Sequence, residues 1–161
     1  MVSGVLTTAI RRRSSRRVRI FAMTTAQALP EFFTRVPTLQ RAETMHQYWG
    51  DRCVNLEMFV FSFMNTFNEA YNGGYWDLNI TSNDALYMSL STDEPVRLVS
   101  PLNYADETMS ADAAGLVLTI YASSYGMHKF PEDAYLLETY DKLMEVVGDH
   151  PEASKIYRLL D

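Results

Sequence analysis

With 161 residues, 47% of them apolar and 12% aromatic, the chain has the length and side-chain volume for one ordinary domain. Its charge is divided: residues 1–22 hold Arg11, Arg12, Arg13, Arg16, Arg17 and Arg19 with no carboxylate, and in the remainder 8 of the 14 basic side chains stand against all 20 acidic ones, a net of −12. An excess of that sign repels phosphate backbones, which disfavours nucleic-acid binding by the body and favours a basic surface as its partner.

Residues 1–22 alternate arginine and serine, and their short apolar piece, Val5–Ile10, precedes the positive charge, the reverse of a secretory signal. A transit peptide, a basic nucleic-acid arm and an extended reading frame with the biological start at Met23 all fit this pattern. On each of these readings the segment is expected to be disordered, because six arginines with little apolar surface cannot offset the entropy of ordering. The body, residues 23–161, is expected to form one α+β domain of helices packed against a small antiparallel β-meander.

Leu29–Phe33 and Val36–Thr38 bring two prolines close together and predict a short turn of helix, then a fresh helix over Leu39–Tyr48. Leu56, Phe59, Val60, Phe63, Met64, Phe67, Ala70 and Tyr71 recur every three or four positions, the spacing of one helical face, and make this the expected central helix. Its longest dense apolar stretch, Leu56–Phe67, is interrupted by Glu57, Ser62, Asn65 and Thr66 and falls short of the roughly 20 residues that span a bilayer. Asn72-Gly73-Gly74 is the expected stop, since glycine takes the left-handed conformation without a Cβ clash.

The period then changes to two: Tyr75–Ile80, Ala85–Leu90 and Val96–Val99 predict three antiparallel strands joined by Ser82-Asn83-Asp84 and Thr92–Pro95. Ser110 is the predicted cap of a helix with Asp112 in its first turn, and the small Ala113, Ala114 and Gly115 permit close approach to a neighbour. Glu132–Val147, with Leu136, Tyr140, Leu143 and Val147 as a core stripe, and a last helix from Pro151 complete the chain.

Four blocks carry a resemblance: Glu69-Ala70-Tyr71-Asn72-Gly73-Gly74-Tyr75-Trp76, Leu86-Tyr87-Met88, Ser110-Ala111-Asp112-Ala113-Ala114-Gly115, and His150-Pro151-Glu152-Ala153-Ser154-Lys155-Ile156-Tyr157-Arg158. In these stretches the sequence resembles the ArdB/KlcA antirestriction family over most of residues 23–161. The resemblance implies a cytoplasmic α+β protein without cofactor, carried by mobile elements such as plasmids. It also implies suppression of host type I restriction while modification is spared, through the restriction enzyme or an accessory host factor. It brings no catalytic residues with it.

The chemistry-bearing residues are sparse. His46, His128 and His150 are far apart and form no H-x-x-x-H pair, which argues against a metal site, and Cys53 near His46 reads as a packed thiol. A lone cysteine cannot form an internal disulfide and fits a reducing compartment. Tyr75 and Trp76 are candidate partner-binding aromatics, but adjacent strand residues face opposite ways, so at most one points outward. The remaining candidates are Glu138, Asp141, Glu145, Asp149 and Glu152, which step by three or four and would line one face if the helix ran on. One carboxylate per turn of roughly 5.4 Å is about threefold sparser than duplex DNA's charge per 1.7 Å, so the stripe does not copy a phosphate ladder. It suits a solvated face or a docking face for a basic surface. Two rival readings remain at this stage: a DNA-associated regulator working through the arginine arm, and a hydrolase of unknown substrate.

Overall fold

The computed structural model describes residues 31–161. The Arg-rich extension over residues 1–22 and the Leu29-Pro30 pair lie outside them. The order is β1 (Phe33–Arg35), α1 (Arg41–Trp49), α2 (Cys53–Phe67), β2 (Trp76–Thr81), β3 (Leu86–Leu90), β4 (Val96–Val99), β5 (Asp106–Met109), α3 (Ala111–Lys129), α4 (Ala134–Val146) and α5 (Ala153–Leu160). The class is α+β, with helices packed against small antiparallel sheets in one domain. No helix among the described residues is long and apolar enough to cross a membrane.

Two expectations about the strands change. Residues 33–35 form a strand rather than a turn of helix, pairing antiparallel with β2 as Phe33↔Thr81, Thr34↔Ile80 and Arg35↔Asn79. Pro37 disfavours helical geometry at Val36, and the Val36 N–H continues the ladder to the Leu78 carbonyl at 2.8 Å. The second change concerns β4, which does not join the meander. It pairs with β5, while the other sheet runs β1-β2-β3.

The reason lies on the free edge of β3. Ser91 N–H donates to the Tyr75 carbonyl at 2.8 Å, so along the β2–β3 register the peptide groups of Met88 point away from β2. A helix takes that edge. The Thr119 hydroxyl accepts the Met88 N–H at 3.1 Å and donates to the Gly115 carbonyl at 2.9 Å. A Cβ on Gly115 would stand 2.0 Å from the Met88 carbonyl oxygen and 2.6 Å from Ser89 Cα, so glycine is what lets the helix backbone reach the strand. Among the small residues expected to permit close approach, Gly115 lies directly against strand backbone.

This edge-on seating makes α3, not α2, the central helix. From Ala111 to Ile120 every residue but Asp112 is buried. Its start is as expected: the Ser110 hydroxyl accepts the Ala113 N–H at 3.1 Å. Helix α2 buries Leu56, Val60, Met64 and Phe67 as one stripe and leaves Val54 and Met58 exposed on the far side. It also ends earlier than expected. Asn68 is extended, its side-chain oxygen takes the Ala70 N–H at 2.9 Å, and residues 68–74 form a coil in which Gly73 holds φ 104°. Helix α4 starts behind Asp133, whose carboxylate accepts the Tyr135 N–H at 3.0 Å.

Replacing Gly115→Ala is expected to cost at least about 2 kcal/mol by overpacking, because its nearest neighbours are backbone and cannot rotate away. Thr119→Val, which strands the Met88 N–H in the core, should cost about 1–3 kcal/mol. Urea denaturation of each variant measures both; wild-type stability of Gly115→Ala would refute the close contact.

Candidate functional site

The acidic helix and the turn that braces it are the first element of the site. Glu138, Asp141 and Glu145 are exposed along the outer side of α4, whose inner side buries Leu136, Thr139, Leu143 and Val146. The line then breaks: α4 gives way to a tighter turn over Val147–Asp149, where Asp149 is also exposed. The β2–β3 turn is fastened beside this face. Asn83 Nδ2 donates to the Lys142 carbonyl at 2.8 Å and approaches Glu145 at 3.5 Å. Lys142 Nζ reaches the Asp84 carbonyl at 3.2 Å while pairing with Glu138 at 2.8 Å, and Tyr48 donates to the Asp84 carboxylate. Asp84 itself holds φ 63°, the left-handed conformation that aspartate tolerates in turns. Burial, followed by the bond to Asp84, pushes the Tyr48 hydroxyl up to about 12. Asp141 and Asp149 have no ion-pair partner among the described residues.

Glu152 does not share that face. It sits half-buried ahead of α5 and accepts hydrogen bonds from both the backbone N–H and the hydroxyl of Ser110, so it caps α3 from outside. Burial alone would push its carboxyl up. The bonds from Ser110 and then Lys155 outweigh that and hold it below its usual range. The neighbouring His150 is almost wholly buried, and its Nδ1 accepts the Glu152 N–H at 2.9 Å. A ring nitrogen that accepts carries no proton, so Nε2 is the donor, 2.9 Å from the Asp112 carboxylate. Tyr87 donates to the other oxygen of Asp112. Burial, then the charge of Asp112, pushes the Tyr87 hydroxyl far above its ordinary range, so it remains a donor. Phe32 covers the histidine edge-on, with ring centroids 4.7 Å apart.

Three of the four blocks noted in the sequence therefore meet in one polar knot, buried at Tyr87 and His150 and open to solvent at Ser110: Tyr87 comes from the second, Ser110 and Asp112 from the third, His150 and Glu152 from the fourth. Its geometry ties β3 and the first turn of α3 to the segment just ahead of α5, with both ring nitrogens of His150 engaged. Sequence reasoning missed it, although a tyrosine inside an apolar strand and an aspartate in a helix's first turn are both groups that call for partners when buried.

Tyr75 and Trp76 split as the alternation requires. Trp76 is buried, its Nε1–H donating to the Tyr71 hydroxyl at 2.9 Å and its ring packed on Phe61, so it is a core residue and not a contact aromatic. Tyr75 is 53% exposed, lies under the Arg41 guanidinium and meets Thr38. Arg41 in turn donates to the Trp76 carbonyl at 2.6 Å and pairs with Glu57 at 2.7 Å. Arg41 opens α1, whereas Tyr135 of α4 packs at Gly50 beyond its other end, so about 13 Å of helix separates Tyr75 from the acidic face. His46 and His128 lie in α1 and α3, away from the knot, and the described residues bring together no group of His, Cys, Asp and Glu able to hold a metal.

The knot gives a pH test. A carboxyl held low in the folded state stabilises the fold above its unfolded value near 4.5 and loses that contribution as pH falls through the folded value. Stability from urea denaturation between pH 7 and 3 should therefore fall in the acid limb, and Glu152→Gln should flatten that limb. An unchanged slope would show that the cap carries no charge-dependent stability.

Comparison with known proteins agrees with this architecture. The family model described as "Antirestriction protein" matches residues 69–161. YafX of Escherichia coli (strain K12) is 37% identical over 139 residues, covering 82% of this chain and 91% of that protein. The antirestriction protein KlcA of Escherichia coli is 31% identical over 138 residues, covering 82% and 94%. A solved structure with 31% identity superposes with a TM-score of 0.71 over 80% of this chain and 95% of its own. It comes from work showing that KlcA and ArdB have a novel fold and antirestriction activity against type I DNA restriction systems in vivo but not in vitro. The chain belongs to the antirestriction family of KlcA and ArdB.

Proposed function

We propose that this chain relieves type I restriction of incoming DNA by binding rather than by bond-making, and that the exposed carboxylates of α4 and the turn after it form its contact face. Family membership supports the activity. The observation that carries the contact face is the position of Glu138, Asp141 and Glu145, exposed on a helix whose other side is locked into the core, with Asp149 exposed on the turn that follows it. A helix held rigidly before binding loses little freedom on docking, and acidic side chains on it steer a basic surface into register. The −12 net charge of residues 23–161 adds long-range attraction to the same kind of partner and repels the DNA itself.

The partner is a basic surface of the restriction complex or of a host factor that works with it, inside the cell where that complex meets DNA. The activity of KlcA and ArdB in vivo but not in vitro favours the host factor, because a component missing from a purified assay accounts for the difference. Tyr75 lies too far from α4 to belong to this face and is a separate exposed contact residue.

Plating of unmodified phage on a type I restricting host, with and without the gene, measures the function. Restriction should be relieved, and Asp141→Asn combined with Glu145→Gln and Asp149→Asn should reduce that relief roughly tenfold while thermal stability stays near wild type. Undiminished restriction at good expression of the wild-type chain would end this reading. Full relief by the triple variant would move the contact elsewhere.

A further inference from the structure

The two edges of the β4–β5 sheet are finished differently. Ser100 N–H donates to the Ala105 carbonyl at 2.9 Å, and the register places Leu98 opposite Glu107 and Val96 opposite Met109. Hydrogen-bonded and non-bonded pairs alternate in an antiparallel ladder, so the peptide groups of Thr108 point outward from β5 and those of Arg97 and Val99 point outward from β4. On β5 the outward Thr108 carbonyl is taken by Lys155 Nζ at 2.7 Å, and Arg158 pairs with Glu107 alongside it. On β4 no hydrogen bond among the described residues uses the N–H or C=O of Arg97 or Val99.

A cleft of about 740 Å³ opens at β4, between it and residues 66–70 beyond the end of α2. Phe67, Pro95, Val99, Pro101 and Tyr104 give it apolar walls. Tyr104 is 85% exposed and holds φ 60°, a conformation unfavourable for a side chain of its size, and it is kept there by its N–H bond to the Ser100 carbonyl at 3.0 Å. Asn103 fixes the same loop through the Ala105 N–H and the Arg158 carbonyl. The loop thus presents an aromatic in a fixed position rather than folding it inward.

We propose that this cleft receives an extended, lysine- or arginine-bearing segment of a partner protein, which adds itself as a strand along β4. This inference rests on the reading that the chain acts by binding, and it names a second contact distinct from α4. Strand addition supplies main-chain hydrogen bonds to an open edge, and pockets for alternate side chains supply the selectivity. Charge selects the occupant. Arg97 is neutralised by a paired Asp106, whereas Glu69 on the cleft wall and the exposed Asp93 and Glu94 ahead of β4 have no ion-pair partner among the described residues. A second copy of the chain would set these carboxylates against their own counterparts, and a nucleic acid or an anionic lipid surface would meet the same repulsion.

The probe is the acetylated, amidated hexapeptide Lys-Val-Lys-Val-Lys-Val, titrated into the isotopically labelled full chain, with Glu-Val-Glu-Val-Glu-Val as its counterpart. The lysine peptide should shift the Arg97 and Val99 amide signals and slow their hydrogen exchange, and the glutamate peptide should do neither. Val99→Pro removes an outward N–H without touching the β4–β5 ladder and should weaken binding roughly tenfold. Val99→Thr keeps the N–H while altering one methyl of the wall, and should weaken binding much less than Val99→Pro. Because the proline variant could fail to fold, Glu69→Lys with Glu94→Lys serves as the second test and should transfer the preference to the glutamate peptide. Peptide-induced shifts absent from Arg97 and Val99, equal response to both peptides, or binding unaltered in folded Val99→Pro would each overturn the proposal. A chain that takes up the lysine peptide but leaves phage restriction unchanged would overturn the functional reading and leave this one standing.

Discussion

A helix seated on the edge of a strand is the constraint from which the rest of this fold follows. The missing side chain of Gly115 lets α3 touch the backbone of β3, and Thr119 bridges the two by accepting from Met88 and donating to Gly115. A third meander strand would need the same Met88 N–H. With that donor already used, β4 finds its partner in β5 instead, and Val96 and Leu98 pack inward while Arg97 and Val99 face out. The nearly continuous burial of α3 is another result of the same placement, since the helix has α2 and α4 on its flanks and strand backbone beneath it.

The polar knot closes what this contact opens. A helix driven so far into the core brings its first turn with it, and the N–H groups of a helix start need acceptors. Ser110 supplies one from within and Glu152 adds a second from the position just ahead of α5, while Asp112 joins Tyr87 and His150. Side chains that carry the resemblance to KlcA and ArdB thus do structural work here. What they leave free is the outer side of α4, and that division separates residues that build the scaffold from residues available to a partner.

Helical faces were legible in the sequence because burial repeats with the helix itself: Leu56, Val60, Met64 and Phe67 are buried as the spacing requires. The end of α2 was not. Ala70 and Tyr71 keep the apolar rhythm, but the Asn68 side chain competes for the Ala70 N–H and the backbone leaves the helix there. Strand pairing was beyond local reading, since β1 and β2 meet across more than forty residues and the displacement of β4 depends on α3, further along the chain. The same limit applies to the site. Glu138, Asp141 and Glu145 share a face because they share a helix, whereas the engagement of Glu152 depends on Ser110, 42 residues away. The split of Tyr75 from Trp76 needed only the alternation of a strand and could be anticipated.

Both tryptophans of the chain are interior, Trp49 fully and Trp76 with 3% of its surface exposed. Trp76 is tied to Tyr71 and packed on Phe61, and neither indole belongs to the acidic helix or to the open strand edge. Tryptophan emission therefore reports the integrity of the interior rather than docking at either surface. A constant emission maximum on mixing with a partner is the signature of an intact scaffold, and occupancy has to be read with labels placed on the outside.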